Sequence, residues 1–114
     1  MALTLYGIPN CDTVKKARTW LAAQGREVTF HDFRKDGLER GKVEEWLKRV
    51  PADKLLNRRG TTWRKLDTAQ QARAASDLAG LLVDHPSLIK RPVIETGDDV
   101  LVGFTDTERA ALKG

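Results

Sequence analysis

The sequence has very little cysteine and no long apolar run. Among 114 residues there is one cysteine, Cys11, so an internal disulfide is excluded and an oxidising compartment is not indicated. No apolar segment approaches the roughly 18 residues of a membrane-spanning helix. Residues 1–6 lack the basic and apolar regions of a secretory signal peptide. We therefore expect a cytoplasmic protein that does not contact membrane.

The sequence also lacks the motifs of several enzyme classes. Its two histidines, His31 and His85, lie far apart, and neither has metal-ligand spacing around it. No phosphate-binding loop, dinucleotide fingerprint or Ser/His/Asp set is present. These absences predict a protein that works without a metal ion or a bound nucleotide.

The length and charge that are present describe a small basic protein. A chain of 114 residues fits one domain, which we place at residues 1–114. Twenty Lys and Arg residues stand against 16 Asp and Glu residues, giving a net charge of +4. This charge favours anionic partners, but it is too dispersed along the chain to indicate nucleic-acid binding by itself.

The first third of the chain predicts a strand, a helix and a second strand. Residues 2–6 alternate as a short buried strand does, and residues 7–10 carry the Gly, Pro and Asn of a turn. A helical pattern begins at Asp12 and ends before Gly25, and residues 28–31 alternate again. This order predicts a parallel βαβ unit. The predicted buried stripe of the helix is Val14, Ala17 and Leu21, with Trp20 beside it.

The middle of the chain is predicted to be mainly helical. Apolar residues in 43–50 follow helical spacing, and Pro51 ends that run. Residues 53–66 are predicted to form an irregular connection. Thr68 and Gln71 form a candidate capping box for one further helix. The predicted buried stripe of that helix is Ala72, Ala75, Leu78, Ala79 and Leu82.

The last third returns to strands. Residues 92–95 and 100–102 are short apolar runs separated by the turn residues 97–99, which predicts a β-hairpin. Thr105 and Glu108 form a capping box before a short C-terminal helix. The fold class is therefore α/β, with the order βαβ, helices, ββα and a mixed sheet.

Cys11 is the candidate nucleophile. A lone cysteine is often a buried structural residue, but Cys11 stands between a turn and the first turn of a helix. Unpaired backbone N–H groups and the positive end of the helix dipole lower a thiol pKa at that position. Lys15, four residues on, adds a positive charge that also lowers the thiol pKa, whereas the negative charge of Asp12 opposes this lowering slightly. The local sequence therefore favours a reactive thiol.

Three segments carry a resemblance to a known family. Residues 6–17 (YGIPNCDTVKKA), 55–66 (LLNRRGTTWRKL) and 85–94 (HPSLIKRPVI) resemble, in order and spacing, the motifs of the ArsC/Spx family, closest to its YffB branch. The resemblance implies a thioredoxin-like fold, with a thioredoxin-like part at 1–34 and 86–114 and a helical insertion at 35–85. It also implies that Pro92 is a cis proline facing Cys11.

The resemblance implies an anion-binding role for Arg91, which matches the family arginine before the cis proline. The other two arginines of the arsenate reductases do not carry over. Asn57 stands where one is expected, with Arg58 and Arg59 after it, and the other falls near residues 103–104, where the sequence has no cation. A dense oxyanion needs bidentate guanidinium partners. Arsenate reduction is therefore the weaker hypothesis.

Because the sequence has a single thiol, it predicts a reaction in which the second thiol comes from another molecule. Position 14 is Val, so the Cys-x-x-Cys motif is absent. A mixed disulfide at Cys11 must then be resolved from outside, and glutathione is the natural co-substrate. We predict a monothiol, glutathione-dependent reductase that acts on a small oxidised substrate or a mixed disulfide. The candidate binding residues are Asn10, Lys15, Asn57, Arg59, Arg91 and Pro92.

Two other functions remain open at this point. A Spx-like regulator would bind the α subunit of RNA polymerase, although Val14 removes the redox switch that some Spx proteins carry. Direct nucleic-acid binding by the basic segment 58–65, which includes Trp63, is a third hypothesis. We expect those residues to form the family motif instead, and so expect no nucleic acid. A glutaredoxin is a further candidate partner, and we expect a monomer.

Overall fold

The computed structural model of the chain describes residues 3–97 and 99–113. The described elements, in chain order, are β1 (Leu3–Gly7), α1 (Asp12–Ala23), β2 (Val28–Asp32), α2 (Arg40–Arg49), α3 (Ala52–Leu55), α4 (Thr61–Lys65), α5 (Thr68–Ser76), α6 (Leu78–Asp84), a 3₁₀ turn (Pro86–Leu88), β3 (Val93–Glu95), β4 (Val100–Val102) and α7 (Asp106–Lys113).

The four strands form one mixed sheet in the order β2-β1-β3-β4. β1 pairs with β2 in parallel, with Leu5 opposite Phe30, and pairs with β3 in the antiparallel sense. β3 and β4 are also antiparallel, with Ile94 opposite Leu101. The predicted βαβ unit, hairpin and mixed α/β fold class are thus confirmed. Ala2, predicted in the first strand, and Asp98, predicted in the hairpin turn, lie outside the described residues.

The chain divides into two compact units. One comprises Met1–Gly37 with Arg91–Gly114, and the other is Leu38–Lys90. The helical insertion predicted at residues 35–85 overlaps the second unit over residues 38–85. Among the described residues, no helix combines the length and the apolar character needed to cross a membrane.

In the first unit, α1 packs against the sheet through the stripe that the sequence predicts. Gly7, at the end of β1, lies so close to α1 that a Cβ there would be 2.7 Å from a methyl group of Val14. α1 ends as predicted before Gly25, whose φ of +73° places it in the left-handed region that favours glycine. The buried cluster comprises Leu3, Leu5, Val14, Ala17, Leu21, Ile94, Phe104 and Leu112.

In the second unit, the core lies where α2 meets α6. Trp46 of α2 is fully buried, as its helical spacing predicts, and Val43 lies one turn before it. Leu81 and Leu82 of α6 are also fully buried. An isolated antiparallel bridge joins Leu56 to Ile89, which ties the end of α3 to the segment after the 3₁₀ turn.

Two predictions for this region are wrong. Residues 53–66 are not irregular, because they hold most of α3 and all of α4. These helices have four and five residues, which is too short for an apolar repeat to reveal. Pro51 occupies the N-cap of α3, and Gly60 that of α4.

The single helix predicted after Thr68 is instead two helices. The N-cap of α5 is Asp67, whose carboxylate accepts from the backbone N–H of Gln70. The helix then breaks at Asp77, which caps α6 by accepting from the N–H of Gly80. Because of this break Ala72 and Ala75 are exposed, and of the predicted stripe only Ala79 and Leu82 are buried.

One half of the capping box predicted before the C-terminal helix is present, the half in which the Glu108 carboxylate reaches back to Thr105. A carboxylate oxygen of Glu108 accepts from the backbone N–H of Thr105 at 2.8 Å and from its hydroxyl at 2.6 Å. Glu108 is only 4% exposed, so the carboxylate is held inside the first turn of α7. At the other end of α7, the Arg26 guanidinium donates to the backbone carbonyl of Leu112.

Candidate active site

Cys11 occupies the N-cap position of α1. Its backbone is extended (φ −89°, ψ 124°), and its carbonyl accepts the first helical hydrogen bond, from the N–H of Lys15 at 3.0 Å. The side chain is half-buried and packs against the core cluster of the first unit. The strand, turn and helix thus hold the thiol at the end of α1 where backbone N–H groups lack helical partners.

The surroundings of Cys11 favour its thiolate form. Burial raises the pKa of the Cys11 thiol, whereas the backbone N–H of Val14 and the guanidinium of Arg91 lower it. The backbone N–H of Thr13 lowers the pKa further, so that it lies below its ordinary value. Thr13 and Val14 are the helix positions whose N–H groups an N-cap side chain receives. The arrangement therefore favours the thiolate, which is the nucleophilic form of a cysteine side chain.

Arg91 reaches Cys11 from the segment that leads into β3. The Arg91–Pro92 peptide bond is cis, as the family resemblance implies. Pro92 is buried, and its carbonyl accepts from the N–H of Gly103 at 2.8 Å. This hydrogen bond ties the segment to the end of β4. The guanidinium of Arg91, carried by this segment, lowers the pKa of the Cys11 thiol.

Asn10 and Lys15, the other predicted residues of the first unit, are both exposed. Asn10 precedes Cys11 in the turn after β1. Lys15 lies one helical turn beyond Cys11 and lines two grooves along α1. Their predicted roles in binding substrate or glutathione stay predictions.

Asn57 and Arg59 belong to the second unit. The Asn57 N–H donates to the carbonyl of Leu88 at 2.7 Å, and its side-chain oxygen accepts from the N–H of Arg59 at 3.1 Å. Gly60 is pressed against the Asn57 amide, because a Cβ there would lie 2.9 Å from its nitrogen. Asn57 thus shapes the loop before α4, and Arg59 is exposed on that loop.

Sequence reasoning missed two features of the first unit. The groups at the start of α1 that lower the pKa of Cys11 are backbone N–H groups, which residue types do not reveal beyond the helix-start pattern. The sequence has no cation at residues 103–104, but the Arg109 guanidinium lies 4.8 Å from the centre of the Phe104 ring. Arg109 is one helical turn into α7, so only the fold brings it there. Among the described residues, no three His, Cys, Asp or Glu side chains are grouped to hold a metal ion.

Comparison with known proteins places the chain in a family. The model of the ArsC family matches residues 6–112 of the chain. A solved structure described as the YffB (PA3664) protein is 45% identical, with a TM-score of 0.88 and 96% of each chain covered. These findings confirm the resemblance to the family and its YffB branch, and the thioredoxin-like fold.

Two other relatives carry functional descriptions. An arsenate reductase (ArsC) related protein from Brucella melitensis is 45% identical, with a TM-score of 0.77, and the match covers 97% of this chain and 93% of that one. The global transcriptional regulator Spx of Staphylococcus saprophyticus is 27% identical over 108 residues, which are 93% of this chain and 82% of the regulator. The relatives thus include both an enzyme-related protein and a regulator.

Proposed function

Since the chain belongs to the ArsC family, we propose that it is a monothiol reductase that uses glutathione to reduce disulfides and glutathione adducts. The observation that carries this proposal is Cys11 itself. Its pKa is lowered by the start of α1 and by Arg91, and the sequence contains no second cysteine. A thiolate of this kind attacks disulfides, but its mixed disulfide needs an external thiol.

The proposed reaction has two exchange steps. The Cys11 thiolate attacks the glutathione sulfur of a glutathionylated substrate, which leaves as a thiolate and takes up a proton. A second glutathione, as thiolate, then attacks the glutathione sulfur bound to Cys11. That step releases glutathione disulfide and restores the Cys11 thiolate. One substrate is reduced and two glutathione moieties end as one disulfide, so the electrons balance.

The roles of the neighbouring residues follow from their positions. Arg91 stabilises the Cys11 thiolate and gives a glutathione carboxylate a charged partner. Pro92 fixes the segment that carries Arg91. We assign further contacts with glutathione or substrate to Asn10, Lys15, Asn57 and Arg59. Reduced glutathione is abundant in the cytoplasm, which is the compartment that the proposal requires.

The direct test of this proposal is turnover of a glutathionylated substrate with glutathione as reductant. Cys11→Ser is expected to abolish turnover, because a hydroxyl is not ionised at neutral pH. Thr29→Ser, a change of similar size at an exposed position of β2, serves as the matched control and is expected to keep full activity. Full activity in Cys11→Ser, with the fold intact by circular dichroism, would refute the proposal.

A second candidate function is regulation of transcription. Its support is the match to the Spx regulator over 93% of this chain. Such a regulator would bind the C-terminal domain of the RNA polymerase α subunit. A pull-down with that domain tests the idea, and no binding at about micromolar concentration would count against it.

Arsenate reduction has less support. Asn57 and residues 103–104 replace two of the arginines expected in an arsenate reductase, and oxyanions depend on such guanidinium contacts. We expect no turnover of arsenate in an assay where the glutathionylated substrate is reduced.

A further inference from the structure

A groove runs along α1 on the surface of the first unit. It has a volume of about 670 Å³. Its lining includes Lys15, Lys16, Trp20, Ala23, Phe104 and Arg109. Of these six residues, only Lys15 takes part in the proposed chemistry.

The floor of the groove is apolar and aromatic. The rings of Trp20 and Phe104 meet edge to face with their centres 5.6 Å apart. Trp20 is only partly buried, so part of its ring faces solvent. Ala23 continues this floor along α1. A partly exposed indole beside a second ring provides an anchor point for an apolar side chain.

The rim of the groove is cationic. Lys15 and Lys16 are exposed on α1, and Arg109 approaches from α7. Arg109 stacks on Phe104 while one guanidinium nitrogen also bonds Asp106 at 2.8 Å. These three cations surround an apolar floor, which makes the groove complementary to a segment that has both carboxylates and an apolar side chain.

The groove begins close to the thiol. Lys15 lies one helical turn after Cys11, and α1 from Lys15 to Ala23 is about 12 Å long. That length matches roughly three or four residues of an extended peptide. A segment bound along α1 would therefore bring a neighbouring sulfur toward Cys11.

We propose that this groove docks an acidic segment of a protein substrate. Carboxylates of the segment pair with Lys16 and Arg109, and an apolar side chain packs on Trp20 and Phe104. The inference deepens the proposed function, on which it rests, by naming the substrate class. The substrates are proteins whose disulfide or glutathionylated cysteine lies beside an acidic, apolar sequence.

The chemistry of the groove favours a peptide over nucleic acid. A phosphate backbone needs a continuous row of cations. Here Asp12 stands in the first turn of α1 and Asp106 lies at the start of α7, beside Arg109. One carboxylate precedes Lys15 and Lys16 on α1 and the other pairs with Arg109, so the positive charge is not continuous. The short apolar floor, by contrast, accommodates one side chain.

Binding is measured on full-length Cys11→Ser protein, so that the result is independent of thiol chemistry. The probe is a fluorescein-labelled peptide of about ten residues that contains three Glu, two Leu and no cysteine, followed by anisotropy. A matched peptide has Lys in place of Glu. The acidic peptide is expected to bind at least about tenfold more tightly than the Lys peptide.

Charge-reversal variants locate the binding. The double variant Lys16→Glu, Arg109→Glu is expected to bind the acidic peptide at least about tenfold more weakly. The control, Lys35→Glu with Lys48→Glu, makes the same change in net charge at exposed positions outside the groove and is expected to alter affinity less than about twofold. Peptide binding should also shift the NMR signal of the Trp20 indole N–H.

Three outcomes would overturn the proposal. They are no binding of the acidic peptide up to about 1 mM, equal weakening by the control pair, or displacement of the peptide by a single-stranded oligonucleotide that binds more tightly. Displacement by the oligonucleotide would show that the groove binds polyanions in general. If the peptide binds as expected while turnover with glutathione is absent, the docking surface stands and the proposed reductase activity fails.

Discussion

At the scale of single residues, the central feature is the thiol of Cys11 and the groups that act on its ionisation. Burial opposes ionisation of Cys11, whereas the N–H of Val14, the Arg91 guanidinium and the N–H of Thr13 favour it. The favourable contributions are larger, so the pKa of Cys11 is lowered. Two of these three groups are backbone donors at the start of α1, and they remain whatever side chain replaces Arg91.

Arg91→Gln is therefore expected to raise the pKa of Cys11 and to slow its alkylation at neutral pH. The substitution removes the charge and leaves the backbone donors in place. Lys90→Gln is the matched control, because it removes a charge at the adjacent, exposed position, whose ammonium group bonds the carbonyl of Asp53. An unchanged pKa in Arg91→Gln would show that the guanidinium does not act on the thiolate.

The residues of the site differ in how well the sequence predicts them. Cys11 was predictable because it follows a strand and a turn and precedes a helical stripe. Arg91 and its cis peptide bond were predictable only through the family resemblance, since X–Pro bonds are trans in most cases. Arg109 beside Phe104 was not predictable, because the contact depends on how α7 returns to the sheet.

At the scale of elements, the contact between β1 and α1 positions the thiol. A Cβ on Gly7 would lie 2.7 Å from Val14, and the backbone N–H of Val14 lowers the pKa of Cys11. Close packing at this point therefore links the end of the strand directly to the start of the helix at which Cys11 lies.

Gly7→Ala is expected to destabilise the fold by about 1–3 kcal/mol through overpacking. It should also lower the reactivity of Cys11, because the first turn of α1 must shift. Val14→Ala in the same protein removes the clashing methyl groups and should recover part of both losses. Chemical denaturation and alkylation rates measure these effects. Additive losses in the double variant would contradict the proposed contact.

The cap of α7 gives a second expectation. Glu108→Ala removes the acceptor of two hydrogen bonds from Thr105 and should destabilise the protein by about 1 kcal/mol or more. The measurement is urea denaturation. Glu27→Ala, at an exposed position, should change stability by less than about 0.5 kcal/mol. Equal effects of the two substitutions would mean that the buried carboxylate contributes nothing beyond an exposed one.

Elements with strong local signals were predicted, and elements fixed by single side chains were not. β1, α1, β2 and the hairpin follow from alternation, helical spacing and glycine. The break at Asp77 did not, because the apolar spacing continues across it. Asp77 also bonds the Arg40 guanidinium at 2.6 Å, a contact 37 residues away in sequence that no local pattern contains.

At the scale of the whole molecule, the chain contains one thiol and has a net charge of +4. Oxidation with glutathione disulfide is expected to add one glutathionyl group to each chain, because no second cysteine can displace it. Intact-mass spectrometry measures the adduct, and Cys11→Ser should gain none. An oxidised wild-type chain without an adduct, or with several, would contradict monothiol chemistry.

The pKa of Cys11, measured by the pH dependence of alkylation, tests the central claim most directly. Alkylation follows the thiolate fraction, so a lowered pKa moves the midpoint of the rate below the value of about 8.5 for an ordinary cysteine. Alkylation at neutral pH is then faster than for cysteine in an unfolded peptide, and unfolding the protein returns the midpoint to about 8.5. A midpoint in the folded protein at or above that of the unfolded chain would contradict an activated thiol at Cys11.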